Sequence, residues 1–239
     1  MIKLAVSGCQ GRMGQRITDL AFQDPEFKVT TLLEHKDHPK SKETIHGLTI
    51  STDSNAMKDS DVLIEFTLPD ATMINLQTAV KHNVKMVIGT TGFQASQVEE
   101  IKKAATKIPI VFASNMSVGV NLLFKLTEIA AQKTGKNYTI NMTEAHHIHK
   151  KDAPSGTAKT LAEIAEKASG QKVKDIQSIR EGEIVGDHTV IFESEEDVIT
   201  IYHHAKNRDI FAKGALVAAK FLKNKTNGLF NMQDVLGLK

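Results

Sequence analysis

The segment Ile2-Lys3-Leu4-Ala5-Val6 stops at Ser7-Gly8, and a helical pattern of Met13, Ile17, Leu20 and Ala21 begins inside the loop Gly8-Cys9-Gln10-Gly11-Arg12-Met13-Gly14. A strand that feeds directly into a helix opens a parallel crossover rather than a hairpin. The same alternation returns four times. Val29–Leu33, Asp61–Phe66, Lys85–Ile88 and Ile108–Ala113 have the length and apolarity of buried strands. Helical spacing separates them, around Met73, Leu76 and Val80 and again around Val98, Ile101 and Ala105. Strand, helix, strand, helix predicts parallel strands with crossover helices. Residues 1–116 are therefore expected to form a doubly wound (Rossmann-type) α/β domain.

The rhythm changes after that. A helix is predicted from Val118 to Gln132, and Tyr138, Ile140 and Met142 then alternate with Thr139, Asn141 and Thr143. Period two marks a sheet with one polar face. Ala158, Leu161, Ala162, Ala165 and Ala168 make one helical stripe, and strand-like runs follow at Val173–Arg180, Thr189–Glu193 and Val198–His204. Residues 117–207 are expected to form a second, α+β domain with a mixed or antiparallel sheet. A last helix is predicted from Asp209 to Lys223. The helix starting near Gly156 should cover one face of the second sheet. The other face is expected to pack against a copy of itself, giving a closed homo-oligomer, a tetramer.

Composition closes several alternatives. One cysteine, Cys9, excludes an internal disulfide framework and a four-cysteine zinc site. Thirty Lys and Arg against 28 Asp and Glu, with 5% aromatic residues, leave no basic footprint or stacking platform for nucleic acid. The N-terminal apolar run is too short for a signal peptide, and no run approaches the ~18 apolar residues of a membrane span. No nucleic acid and no membrane are expected as partners, and the expected location is the cytoplasm.

The glycine loop is the first candidate site. Glycine lets the backbone approach a pyrophosphate, and the helix N-terminus adds N–H groups and a positive dipole end. Glu34 stands twenty residues after Gly14, at the end of the second strand, where a carboxylate can accept from ribose hydroxyls. A ligand-free turn and a flavin or S-adenosylmethionine site are the alternatives; the combined placement favours a nicotinamide dinucleotide. His35 and Lys36 follow the acid. A cation there can pair with the 2′-phosphate of NADP, which Glu34 would repel, or simply sit in an exposed loop, so either NADH or NADPH is expected to bind. Gly89-Thr90-Thr91-Gly92 and Ala113-Ser114-Asn115-Met116 lie at later strand ends, where loops either reach the nicotinamide or are plain polar turns.

The second candidate is Glu144-Ala145-His146-His147-Ile148-His149-Lys150-Lys151-Asp152-Ala153-Pro154-Ser155-Gly156-Thr157-Ala158. A solvated loop is one reading of it. A metal site is another, since imidazole is a common ligand, but two lysines beside a cation oppose it. An anion site fits better. Pro154-Ser155-Gly156-Thr157 opens a helix and aims the N–H groups of Gly156 and Thr157 at a carboxylate. His and Lys around it can hold a second carboxylate and pass on a proton. The residues thus point to hydride transfer to a small, dianionic acceptor that also takes a proton. Arg180-Glu181-Gly182-Glu183-Ile184-Val185-Gly186-Asp187-His188 is expected to be a loop between strands, and it and His203-His204 are given structural roles.

On these residues the chain resembles the dihydrodipicolinate reductase family of bacterial diaminopimelate and lysine biosynthesis. The likeness is carried by the Gly8–Gly14 loop, Glu65-Phe66-Thr67, Gly89–Gly92 and Asn115-Met116-Ser117-Val118-Gly119-Val120-Asn121. Above all it is carried by Glu144–Ala158, and it continues through Arg180-Glu181-Gly182, Gly186-Asp187-His188-Thr189 and Phe211–Ala215. The resemblance implies reduction of an unsaturated cyclic imine dicarboxylate to tetrahydrodipicolinate with NADH or NADPH. It implies His146 as proton donor or acceptor, Lys150 as second proton donor, and His147, Gly156 and Thr157 as carboxylate ligands. It implies that Gly8, Cys9, Gln10, Gly11, Arg12, Met13, Glu34, Gly89, Thr90, Thr91, Ser114, Asn115 and Met116 hold cofactor, with no metal. It also implies a homotetramer built through residues 117–207, and a C-terminal helix, residues 208–239, that packs back on the first domain. His35 stands where many members carry Arg, which bears on NADP preference and not on the reaction.

Two other functions remain open at this point. A non-catalytic dinucleotide sensor would keep the glycine loop but need no His-Lys cluster. A metal-dependent hydrolase would use His146, His147 and His149 and lose activity in chelator.

Overall fold

The computed structural model describes residues 1–238. In chain order the elements are β1 (Ile2–Ser7), α1 (Arg12–Gln23), β2 (Phe27–Leu33), β3 (Thr44–Ile45), β4 (Leu48–Thr49), β5 (Val62–Glu65), α2 (Pro69–His82), β6 (Lys85–Ile88), α3 (Ala95–Ala105) and β7 (Pro109–Phe112). They continue with α4 (Val118–Thr134), β8 (Thr139–His146), α5 (Gly156–Ser169), β9 (Asp175–Arg180), β10 (Asp187–Glu193), β11 (Val198–His204), α6 (Asp209–Leu222), β12 (Gly228–Phe230) and α7 (Met232–Val235). A 3₁₀ turn covers Ser54–Asp59. The chain divides into two compact units: Met1–Ser117 with Phe211–Gly237, and Val118–Ile210, to which Leu238 is also assigned.

The first unit is built on a parallel sheet in the order β12-β7-β6-β5-β1-β2. The chain steps outward from β1 to β2 and returns to β5 on the other side of β1. The strand order therefore reverses at the carboxyl end of β1, where open α/β sheets bind ligands. Covered on both faces, these strands are rich in apolar residues: Leu4, Val6, Ile64, Val87 and Val111 pack on one side with Ile17 of α1 and Ala215, Ala219 and Leu222 of α6. Leu63, Met86, Ile88 and Ile110 pack on the other with Leu76 and Ile101. Local chemistry sets the helix ends. Pro69 opens α2, and Asn83 closes it in the left-handed region.

Residues 208–238 are not one helix. After α6 come β12, which extends the large sheet beyond β7, and α7. A three-residue strand is too short to show a period, so the alternation could not reveal it. Lys239, the last residue of that expectation, lies outside the described residues. The β3–β4 hairpin, turning through His46-Gly47, was likewise not anticipated.

The second unit holds a mixed sheet in the order β11-β10-β8-β9. β10 runs antiparallel to both β11 and β8, while β9 is parallel to β8 because α5 carries the chain across. Ile140 and Met142 of β8 and Val190 and Phe192 of β10 point to one face and are buried against Leu161, Ala162 and Ala165 of α5 and Leu123 and Ala131 of α4. Two helices thus cover a face for which α5 alone was expected. Ser155 caps α5 by accepting from the Ala158 N–H at 3.1 Å, worth about 1 kcal/mol, and Gly170 closes it in the left-handed region. No helix among the described residues is long and apolar enough to cross a membrane.

Candidate active site

At the reversal point of the large sheet, Gly8 adopts φ +72°, and a Cβ on it would sit 2.5 Å from the Phe66 carbonyl oxygen. Only glycine fits there. The loop is closed by Gly11 N–H donating to Gly8 O at 2.9 Å, and α1 starts at Arg12. Glu34 is tied to this loop. Its carboxylate accepts from the Gln10 N–H at 2.9 Å and from the His35 N–H at 2.8 Å, one bond per oxygen. Each oxygen keeps a lone pair for a hydroxyl donor.

A cavity of about 540 Å³ opens beside these groups, lined by Gly8, Gly11, Glu34, His35, Lys36 and, across from them, Phe66 and Thr67. Its walls are the features a dinucleotide's adenosine half demands: a glycine turn, a helix start and a strand-end carboxylate. Cys9 is fully buried, and burial together with nearby Glu34 pushes its thiol up to about 12, so only its backbone can serve a ligand. Thr90 is also buried; its Oγ1 accepts from the Thr67 N–H at 3.0 Å and from the Thr72 hydroxyl at 3.0 Å. Gly89, Thr91, Ser114, Asn115 and Met116 follow the carboxyl ends of β6 and β7 and do not line this cavity.

In the second unit the covered face of the sheet changes character along its length. Beyond Met142 and Val190, the inward positions are Glu144 and His146 on β8 and His188 on β10, all buried. Arg180, the last residue of β9, pairs in register with His146 and turns its guanidinium onto Glu144. Its Nη1 donates to Glu144 Oε2 at 3.0 Å and its Nη2 to Oε1 at 2.8 Å. His146 Nδ1 meets Oε2 at 2.5 Å, and the Ser155 N–H donates to Oε1 at 3.2 Å. Burial raises the Glu144 carboxyl, but bonds from Arg180, Ser178 and His146 win and hold it near 2. Burial lowers His146; Glu144 opposes this, while Lys150 and Arg180 add to it. Burial, then the neighbouring His146, takes His188 down to about 4. Its Nε2 lies 3.1 Å from the Ser155 hydroxyl that caps α5.

The loop after β8 supplies the remaining groups. Lys150 Nζ pairs with Asp152 at 2.8 Å and is mostly covered. The His147 N–H donates to Ile184 O at 2.7 Å, and its Nδ1 is buried without a hydrogen-bond partner. His149 is exposed and 3.5 Å from Glu183. Gly156 and Thr157 form the first turn of α5. Among the described residues no group of three His, Cys, Asp or Glu side chains converges as metal ligands.

Residues 2–116 match the family model described as dihydrodipicolinate reductase, N-terminus, and residues 119–236 the model described as its C-terminus. The chain belongs to the dihydrodipicolinate reductase family. A relative from Paraburkholderia phymatum named 4-hydroxy-tetrahydrodipicolinate reductase is 42% identical over 100% of both chains. One of the same name from Syntrophus aciditrophicus is 38% identical over 100% of both. The fold is also that of a dipicolinate-bound dihydrodipicolinate reductase from Paenisporosarcina sp. TG-14, with a TM-score of 0.85 at 22% identity over 98% of each chain.

Within this family member, sequence reasoning singled out His146, His147 and Lys150 but gave no part to Glu144, Ser155 or His188, which are in contact with one another or with His146. The expected loop from Arg180 to His188 is shorter: Arg180 ends β9, and Asp187 and His188 open β10. The signal was present as period two, since Glu144 and His146 continue the inward register of Ile140 and Met142, and His188 that of Val190 and Phe192.

Glu144 also makes an acid-stability prediction. Its folded value near 2 lies below the ordinary 4.5, so its contribution is complete above pH ~4.5 and is lost as pH falls through ~2. The difference corresponds to roughly 3 kcal/mol. Urea melts of the wild type and Glu144→Gln between pH 6 and 2.5 should show the wild type losing about one proton's worth more stability over that window. Parallel pH curves would rule this out.

Proposed function

We propose that the chain reduces the unsaturated cyclic imine dicarboxylate formed from 4-hydroxy-tetrahydrodipicolinate to tetrahydrodipicolinate, with NADH or NADPH, in the cytoplasmic synthesis of diaminopimelate and lysine. The observation that carries this reading is full-length identity of 42% to a relative bearing that activity's name. The His-Lys loop running into the start of α5 supports it. Dipicolinate, which the Paenisporosarcina protein's name records as bound, is a dicarboxylate of the class the site requires.

The nicotinamide, when bound, supplies the hydride. Gly8, Cys9, Gln10, Gly11, Arg12 and Met13 would hold it through backbone and loop, and Glu34 through ribose hydroxyls. Gly89, Thr90, Thr91, Ser114, Asn115 and Met116 would hold it from the later strand ends. His147 and the first turn of α5 at Gly156 and Thr157, at the positive end of the helix dipole, would hold the substrate carboxylates. As hydride reaches carbon, negative charge grows on the ring nitrogen. Lys150 would place positive charge and a proton there, with His146 serving the same transfer. The Asp152 carboxylate lies 2.8 Å from the Lys150 Nζ. The direct test is NAD(P)H oxidation with freshly generated 4-hydroxy-tetrahydrodipicolinate. Cofactor binding without turnover would leave the sensor reading in its place.

Cofactor choice turns on Lys36, which lines the cavity with Glu34 and His35. Lys36→Ala is expected to weaken NADPH about tenfold or more and NADH far less, the worth of one charge-assisted contact. Titrating both cofactors decides this; equal losses take Lys36 out of the phosphate site.

The assembly proposed is a homotetramer formed through the open face of the second sheet. That face is more polar than anticipated, but Val198 and Tyr202 stand on it 57% and 59% exposed. Light scattering at micromolar concentration should report four copies, and Tyr202→Glu should reduce that number. A wild-type monomer would end the idea.

A further inference from the structure

We propose that Glu144 is a positioning residue for the reaction, its buried carboxylate gripping His146 by Nδ1 while it anchors the chain that opens α5. The inference rests on the reading of His146 as a proton-transfer group. Glu144 is 1% exposed, and both of its oxygens are used twice. Oε2 takes His146 Nδ1 at 2.5 Å and Arg180 Nη1 at 3.0 Å. Oε1 takes Arg180 Nη2 at 2.8 Å and the Ser155 N–H at 3.2 Å.

An ionised carboxylate only accepts, so Nδ1 must carry the proton of the neutral ring. Nε2 is then the atom that gains and loses a proton in the reaction. Space is kept at that atom: a Cβ on Gly186 would lie 3.1 Å from His146 Nε2. The bidentate Arg180 contact keeps Glu144 ionised and still, which a lone carboxylate in this setting could not be. Through the Ser155 N–H the same carboxylate fixes the residue whose hydroxyl caps α5. One buried anion therefore sets the proton-transfer imidazole and the helix start proposed for substrate carboxylates in a single frame. This is the third-group logic of a base oriented by an acid, arrived at on one strand through a two-residue spacing.

The groups facing His146 are Glu144 on its own strand, Arg180 from β9, His188 from β10 with its ring 5.2 Å away, and Lys150 from the following loop. Of these only Glu144 raises its proton affinity. Removing that charge while leaving the other three moves the ring toward its neutral form.

The test compares Glu144→Gln, Glu144→Asp, His146→Gln and the Glu144→Gln/His146→Gln double variant in the full-length enzyme. The readouts are kcat, KM, NADH affinity and the pH profile of kcat/KM. Glu144→Gln should lower kcat about a hundredfold, the scale of a small misplacement of a reacting group. It should leave NADH affinity unchanged and move the basic limb of the profile to lower pH. Glu144→Asp keeps the charge but cannot reach His146 and Ser155 together, so it should lose about tenfold in kcat with the limb unmoved. Adding Glu144→Gln to His146→Gln should cost little more, because the two act as a unit. A folded Glu144→Gln enzyme with an unmoved limb overturns the inference. If that variant does not fold, Glu144→Asp at the wild-type kcat overturns it instead. If His146→Gln itself turns over normally, it is the proposed reaction role of His146 that has failed.

Discussion

Lys150→Ala and His146→Gln are expected to lower kcat by about 10²–10⁴-fold, the usual worth of a positioned proton donor, with NADH affinity unchanged. Both residues belong to the second compact unit, whereas Gly8, Glu34 and Lys36, which line the cavity proposed for the adenosine half, belong to the first, so neither substitution changes that cavity's lining. His147→Ala should behave differently. A residue that holds a carboxylate equally in ground and transition states raises KM and spares kcat. His149→Ala is the internal control, because its ring is exposed, 3.5 Å from Glu183 and 5.9 Å between centroids from the His147 ring, and no role in the reaction is assigned to it. Steady-state kinetics and cofactor titration on the four variants separate the roles. Wild-type turnover by Lys150→Ala would sink the proton-transfer assignment, and abolition of activity by chelator would revive the hydrolase alternative.

How much of this was legible in the sequence follows from what each signal depends on. The parallel sheet was legible because strands buried on both faces carry unbroken apolar runs, as in Val62, Leu63 and Ile64 and in Met86, Val87 and Ile88. The mixed sheet was legible because Ile140 and Met142 alternate with Thr139 and Asn141. The crossover through α5 was legible from the alanine stripe. β12 was not, since three residues carry no period and its pairing with β7 is set by tertiary context. At the site, the glycine turn and Glu34 were marked by spacing alone. The contact of Glu144 with Arg180 joins residues 36 apart in sequence, through strand register that no local pattern encodes. Phe66 and Thr67 line the cavity for the same reason: β5 lies next to β1, and only the sheet order brings its end to Gly8.

Gly214→Ala and Gly14→Ala should each cost more than about 3 kcal/mol or prevent folding, although alanine is the better helix former by roughly 1 kcal/mol. Gly214 lies within α6, and a Cβ there would stand 1.7 Å from the Met116 carbonyl oxygen. Met116 is buried after the end of β7, and Ala212, Ala215 and Leu216 pack with it in the same core cluster. Neither side can yield: the loop is backbone, and α6 is held by its own buried face. Gly14 is the same case on α1, with its Cβ 1.9 Å from Gly8 O, so an alanine there also distorts the turn that lines the cavity. Gly156 supplies the contrast. Apart from its chain neighbours and its own helix backbone, no atom of the described residues lies within 4 Å of where its Cβ would be, so Gly156→Ala should melt at or slightly above the wild-type temperature even if it binds substrate less well. Thermal melts of the three variants test this directly. A Gly214→Ala protein that melts within a degree or two of the wild type would mean that α6 does not approach the Met116 loop as closely as the structure places it.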